Sequence, residues 1–146
     1  MPETITEKEI KLTLRRDIEI LVVEDERAHY LLADHCLKSA GITNNMHWFE
    51  DGQAVLNFLE GDGHPSGNGK KYIMLLDIRM PKIDGIEVLK RIKNDDKLQN
   101  IQVVMLTTSE DQQQAKFCYD LGSSAHIIKP PGRNLLKTIE RVSQGM

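Results

Sequence analysis

Four apolar runs in this 146-residue chain end on side chains that can do chemistry. Ile18–Val23 stops at Glu24, Asp25 and Glu26, and the run at 72–76 stops at Asp77. The run at 101–106 gives way to Thr107, Thr108 and Ser109, and Ala125–Ile128 ends on Lys129, followed by Pro130 and Pro131. Each acid alone has an ordinary use, because helix N-termini attract negative charge and Asp caps them. Taken singly, Glu24, Asp25 and Asp77 read as caps as readily as functional groups, and Asp84-Gly85 reads as a cap or turn. A lysine closing a buried strand is different, since a charge there is costly unless it meets an anion.

The chemistry depends on which run ends lie together. Short runs rich in branched residues, several of them unbroken, occur at Ile18–Val23, Met46–Phe49, 72–76, 101–106 and Ala125–Ile128, as in strands buried on both faces of a parallel sheet. Between them the spacing is helical. Ala28, Leu31, Leu32 and Cys36 share one face, with Gly41 as a stop; Asp51 precedes a helix carrying Val55, Phe58 and Leu59, ended by Gly61. Asp84 precedes a third with Ile86, Leu89 and Ile92, and 110–121 (ended by Gly122) and 135–142 form the fourth and fifth. Alternation of five strands with five helices predicts a doubly wound α/β sandwich of flavodoxin-like (βα)5 type. The handedness rule leaves few topologies, of which the flavodoxin-like strand order 2-1-3-4-5 is the common one, with the ligand crevice at the carboxyl ends of strands one and three.

In that order Glu24, Asp25 and Asp77 crowd one crevice. Like charges so close are relieved by protonation or by a cation, and an all-oxygen donor set suits a hard divalent ion, Mg2+. Thr107, Thr108 and Ser109 add hydroxyls at the same sheet edge, and Lys129 an ammonium. A carboxylate nucleophile flanked by cations and hydrogen-bond donors is the set that phosphoryl transfer needs.

Composition bounds the alternatives. Hydrophobic residues make up 40% and charged residues 28%, which describes a globular chain with one domain's worth of core. No apolar run approaches the roughly 20 residues of a membrane-spanning helix, and the charged start lacks a signal peptide's apolar stretch, so a cytoplasmic location without membrane contact is expected. A net charge of −3, with Arg15-Arg16 and Lys70-Lys71 as scattered pairs, gives no support to nucleic-acid binding. Cys36 and Cys118 read as reduced thiols. The glycine-rich stretch 61–71 fails the phosphate-loop pattern, because His64 stands at the first glycine and Lys71 at the hydroxyl position. It reads as a surface connection. Residues 1–17 read as an N-terminal extension ahead of a domain at 18–146; Ile10, Leu12 and Leu14 alternate with polar residues there, as in an edge strand, an arm onto a partner or a frayed helix.

The residues Glu24-Asp25 in VVEDE, Asp77 in LLDIRMPKIDG, Thr107 in VVMLTTS and Lys129 in HIIKPP resemble the CheY-like response-regulator receiver family, and the likeness runs from Ile18 to the end of the chain. A finer resemblance, carried by LTTS, the long connection before strand three and a free-standing domain, is to the Rcp-type regulators of bacterial phytochromes. The resemblance implies that Asp77 accepts a phosphoryl group from the phosphohistidine of a sensor histidine kinase. It implies Mg2+ held by Asp25, Asp77 and the backbone carbonyl of Arg79, with Glu24 assisting. Lys129 would contact a phosphoryl oxygen, Thr107 would move inward to bond another, and the Lys129–Pro130 peptide would be cis, fixing the loop. It further implies a signalling switch rather than an enzyme, one that catalyses only its own phosphoryl transfer and loss. Its output would pass to an unidentified protein partner, and a homodimer could form through the fourth helix, strand five and the fifth helix.

One position departs from the family. Three residues before the lysine, where Tyr or Phe often stands, the chain has His126, read either as a half-buried polar residue or as a non-standard, pH-sensitive switch. Three other functions compete with a stand-alone regulator. An intermediate or sink in a phosphorelay uses the same residues. An aspartate-based phosphatase needs a second acid where Arg79 stands, and a flavin carrier needs a phosphate-binding loop where Glu24, Asp25 and Glu26 would repel phosphate. His29 and His35 show no spacing that would indicate a zinc site, and His47 and His64 read as incidental.

Overall fold

The strands form because their side chains are apolar on both faces, and parallel pairing buries both. β1 (Ile18–Val23) is buried at all six positions. Even-numbered residues point to one side and odd-numbered residues to the other. The computed structural model describes residues 11–146. In it β1, β2 (Met46–Phe49), β3 (Lys71–Asp77), β4 (Gln102–Thr107) and β5 (Ala125–Ile128) make one parallel sheet in the order β2-β1-β3-β4-β5, the expected flavodoxin-like arrangement.

Helices cover both faces. α1 (Arg27–Ser39) and α5 (Arg133–Gln144) lie on one side, where Ala33, Leu37, Leu135 and Ile139 pack on Ile20, Val22, Leu75 and Val104. α2 (Gly52–Glu60), α3 (Gly85–Lys93) and α4 (Gln112–Leu121) lie on the other, with Val55, Leu59, Val88, Leu89, Ile92 and Cys118 against Leu21, Met74 and Met105. Asp51 and Asp84 cap α2 and α3, accepting from the backbone N–H groups of Ala54 and Glu87. Attachment is uneven: α4 buries only Cys118 and leaves Phe117 and Tyr119 exposed.

Three local expectations change. α1 turns Ala28, Leu31 and Leu32 outward and half-buries Cys36; the sheet-facing stripe is Ala33 and Leu37, flanked by Tyr30 and Ala40. Both stripes have helical spacing; the buried one carries the fully enclosed Leu37, with the small Ala33 and the C-cap Ala40 beside it. β3 is one residue longer at each end than expected and β4 is shifted one residue toward its carboxyl end, so Asp77 and Thr107 are the last ladder residues. The connection at 61–71 holds a sixth, single-turn helix, Pro65–Asn68. Ahead of β1, Leu12 and Leu14 are buried in the α1/α5 side of the core, and the Leu12 N–H donates to the Ala40 carbonyl. The Arg15 guanidinium donates to the Met146 carbonyl at 2.7 Å, at the amino-end pole of the sheet. The possible edge-strand residue Ile10 lies outside the described residues.

Candidate functional site

The register of the sheet assembles the site. Val23 pairs with Leu76, which brings Glu24 level with Asp77; Asp77 pairs with Leu106, and Thr107 with Ile128, one residue before Lys129. Glu24 and Asp77 are 1% and 5% exposed, while Asp25 is open to solvent. One carboxylate oxygen from each of the three lies within 4.8 Å of the others. The Lys129 ammonium, buried to 6% exposure, donates to Glu24 Oε1 at 2.6 Å and lies 3.2 Å from Asp77 Oδ1. Glu24 Oε2 accepts from the Glu26 N–H, and the Lys129–Pro130 peptide is cis.

The charges do not balance. Burial, reinforced by the Glu24 carboxylate, pushes the Asp77 carboxyl up to about 7, although Lys129 pulls the other way. One ammonium against three carboxylates leaves a deficit of positive charge at their common point. The donors are all hard oxygens, close enough to share an ion, so the residues fit Mg2+ or a similar divalent cation.

Comparison with known proteins agrees with this geometry. Residues 20–140 match the response regulator receiver domain. The chain belongs to that family. It is 36% identical over 129 residues to the probable methanogenesis regulatory protein FilR2 of Methanothrix harundinacea (strain 6Ac), covering 86% of this chain and 81% of the relative. It is 35% identical over 127 residues to the response regulator Rcp1 of Synechocystis sp. (strain ATCC 27184 / PCC 6803 / Kazusa), covering 87% and 84%. The Mn2+-bound structure of Rcp1 superposes with a TM-score of 0.69, at 32% identity and 86% and 91% coverage. The bacteriophytochrome response regulator AtBRR superposes with a TM-score of 0.73 at 35% identity, covering 90% of this chain and 94% of that one. Receiver domains are signalling switches of two-component systems, and the Rcp-type likeness is a likeness of both sequence and structure. Among the described residues no helix is long and apolar enough to cross a membrane.

Not every candidate residue of this receiver domain meets the others. Glu24, Asp25, Asp77 and Lys129 converge. The Thr107 hydroxyl is buried at the end of β4, where it accepts from the Ser109 N–H and faces Gln114 Oε1 at 3.5 Å; its contacts run toward α4. The Arg79 side chain is exposed, and its carbonyl has no hydrogen-bond partner among the described residues. His126 lies midway along β5 with Nε2 buried and unpartnered, and burial holds its imidazole below the ordinary range.

Two contributors were missed. His29, in the first turn of α1, places Nδ1 3.3 Å from the Lys129 ammonium, and its position one turn beyond Asp25 was the available signal. Trp48 donates from Nε1 to the Glu24 carbonyl at 2.8 Å and stacks on Tyr30 at 4.8 Å between centroids. Gly85 matters beyond starting α3, because a Cβ there would overlap the Asp77 carbonyl oxygen.

Proposed function

We propose that this chain is a response regulator, phosphorylated on Asp77 by a sensor histidine kinase in the presence of Mg2+. The observation that carries the reading is a buried strand-end carboxylate, Asp77, within 3.2 Å of the Lys129 ammonium and sharing a three-carboxylate cluster with Glu24 and Asp25. A carboxylate oxygen of Asp77 forms the new bond to phosphorus as the phosphorus–nitrogen bond of the phosphohistidine breaks, and the electron pair leaves on the imidazole nitrogen. Lys129 exchanges its contact with Asp77 for one with a phosphoryl oxygen. Glu24, Asp25, Asp77 and the Arg79 carbonyl would hold the divalent ion, which supplies charge neutralisation for the transferred oxygens. The related regulator Rcp1 has an Mn2+-bound form, which supports a divalent ion on this donor set.

The Thr107 hydroxyl turns from the Ser109 N–H toward the phosphoryl group, and that movement pulls on the loop leading into α4. Output runs through α4, β5 and α5, where exposed Tyr119 and Ile128 offer apolar surface to a protein partner or to a second copy. His126 lies within this surface and takes part in the switch. Cytoplasmic location, one regulatory domain at 18–146 with an extension at 1–17, and contacts with neither nucleic acid nor membrane complete the proposal.

Mg2+ with acetyl phosphate tests it. Intact-mass analysis should show one added phosphoryl group, labile to hydroxylamine. Continued labelling of Asp77→Asn would sink the assignment.

A further inference from the structure

The Lys129 ammonium has three acceptor atoms around it: it donates to Glu24 Oε1 at 2.6 Å, is ion-paired with Asp77 Oδ1 at 3.2 Å and lies 3.3 Å from His29 Nδ1. An ammonium only donates, so the contact with Lys129 requires His29 Nδ1 to accept and the ring proton to sit on Nε2, which faces Glu26 Oε2 at 3.7 Å; Nδ1 also lies 3.6 Å from Glu24 Oε2. The three acceptors are not equivalent. Glu24 and Asp77 belong to the acidic cluster, and their oxygens are the ones that a divalent ion and a phosphoryl group would claim. A divalent ion there also repels the ammonium. His29 comes from α1 rather than from a strand end and is not one of the three clustered carboxylates.

We propose that His29 is a positioning residue for Lys129, holding the ammonium beside Asp77 while the two carboxylates change partners. The inference rests on the reading of Asp77 as phosphoryl acceptor. It assigns His29 no bond to the phosphoryl group and no part in proton transfer. What it supplies is one acceptor, at a fixed place, that neither the ion nor the phosphate takes away.

The test measures the labelling rate with acetyl phosphate, and the Mg2+ concentration for half-maximal rate, in the wild-type chain, His29→Leu and His29→Asn. Leucine fills the space without an acceptor, and asparagine returns one near the Nδ1 position. At saturating Mg2+, His29→Leu should label at least about tenfold more slowly, the scale of one lost hydrogen bond to a charged group. Half-saturating Mg2+ should stay unchanged, and His29→Asn should recover most of the rate. In a Lys129→Ala background, His29→Leu should change the rate no further, because the two residues act as one unit. Wild-type rates in His29→Leu, no recovery in His29→Asn, or a full additional loss beyond Lys129→Ala would each overturn the proposal while leaving Asp77 phosphorylation intact. An unlabelled wild-type chain would overturn both. Should the leucine variant fail to fold, the long-range 1H–15N spectrum of His29 in the wild-type chain decides: Nε2–H is expected, and an Nδ1–H tautomer refutes it.

Discussion

Asp77 and Glu24 compete for too little positive charge, and the competition has a direction in pH. Burial first, and then Glu24, raise the Asp77 carboxyl to about 7, well above its value in an unfolded chain. Between those two values the folded chain holds a proton that the unfolded chain releases, so metal-free stability falls as pH rises toward 7. A divalent ion must displace that proton. Apparent Mg2+ affinity should therefore climb between pH 5 and 7 and level off above, followed by the fluorescence of Trp48, the chain's single tryptophan, bonded to the Glu24 carbonyl. Asp77→Asn should remove the slope and stabilise the metal-free protein at pH 8, read as a rise in melting temperature over the wild-type chain. A flat affinity profile across that window would mean that Asp77 is ionised throughout. At this scale the four converging residues were legible because each ends an apolar run, and strand ends in a parallel sheet come together. His29 and Trp48 were not, since their positions depend on the phase of α1 and the end of β2, neither of which a composition pattern marks.

Element placement follows from how closely backbones approach. α3 begins beneath the carbonyl of Asp77, and only a residue without Cβ fits: Gly85 donates its N–H to the Ile78 carbonyl, and an added methyl would strike Asp77 itself. Gly85→Ala should cost about 2–3 kcal/mol through overpacking. It should also slow labelling of Asp77 by shifting the end of β3, so a melting curve together with the labelling rate checks both consequences. Asp84, capping the same helix, was readable as a cap from its place before an apolar helical stripe. The face of α1 was not readable in the same way. Two apolar stripes compete there, and the one that faces the sheet carries Leu37 with the small Ala33 beside it, a pattern whose hydrophobic area alone does not mark it out. That choice leaves Leu31 and Leu32 in solvent, 45% and 47% exposed.

Across the whole molecule the core is divided by the sheet, and the two sides are held with unequal strength. α5 contributes four buried apolar residues, Leu135, Leu136, Ile139 and Val142, whereas α4 contributes Cys118 alone. Local opening follows buried contacts, so backbone amides of α4 should exchange faster than those of α5. Phosphorylation, or a phosphoryl mimic, should change protection in α4 and at the end of β4 while leaving α5 near its starting value. Hydrogen exchange followed by mass spectrometry reads this directly, and no change around β4, α4 and His126 would remove them from the switch. The strand order was legible because a parallel sheet of this size admits few windings. The weak seat of α4 was hidden, since Phe117 and Tyr119 give it apolar residues that it does not bury.

The contact between Arg15 and the carbonyl of Met146 holds residue 146 at the pole of the sheet away from Asp77. A tether therefore leaves the business end of the molecule facing outward. Immobilised through residue 146, or carrying a fluorescent module there, the domain still presents the whole rim above Asp77 to a macromolecular phosphodonor, whose approach can be timed on a surface without re-engineering the site.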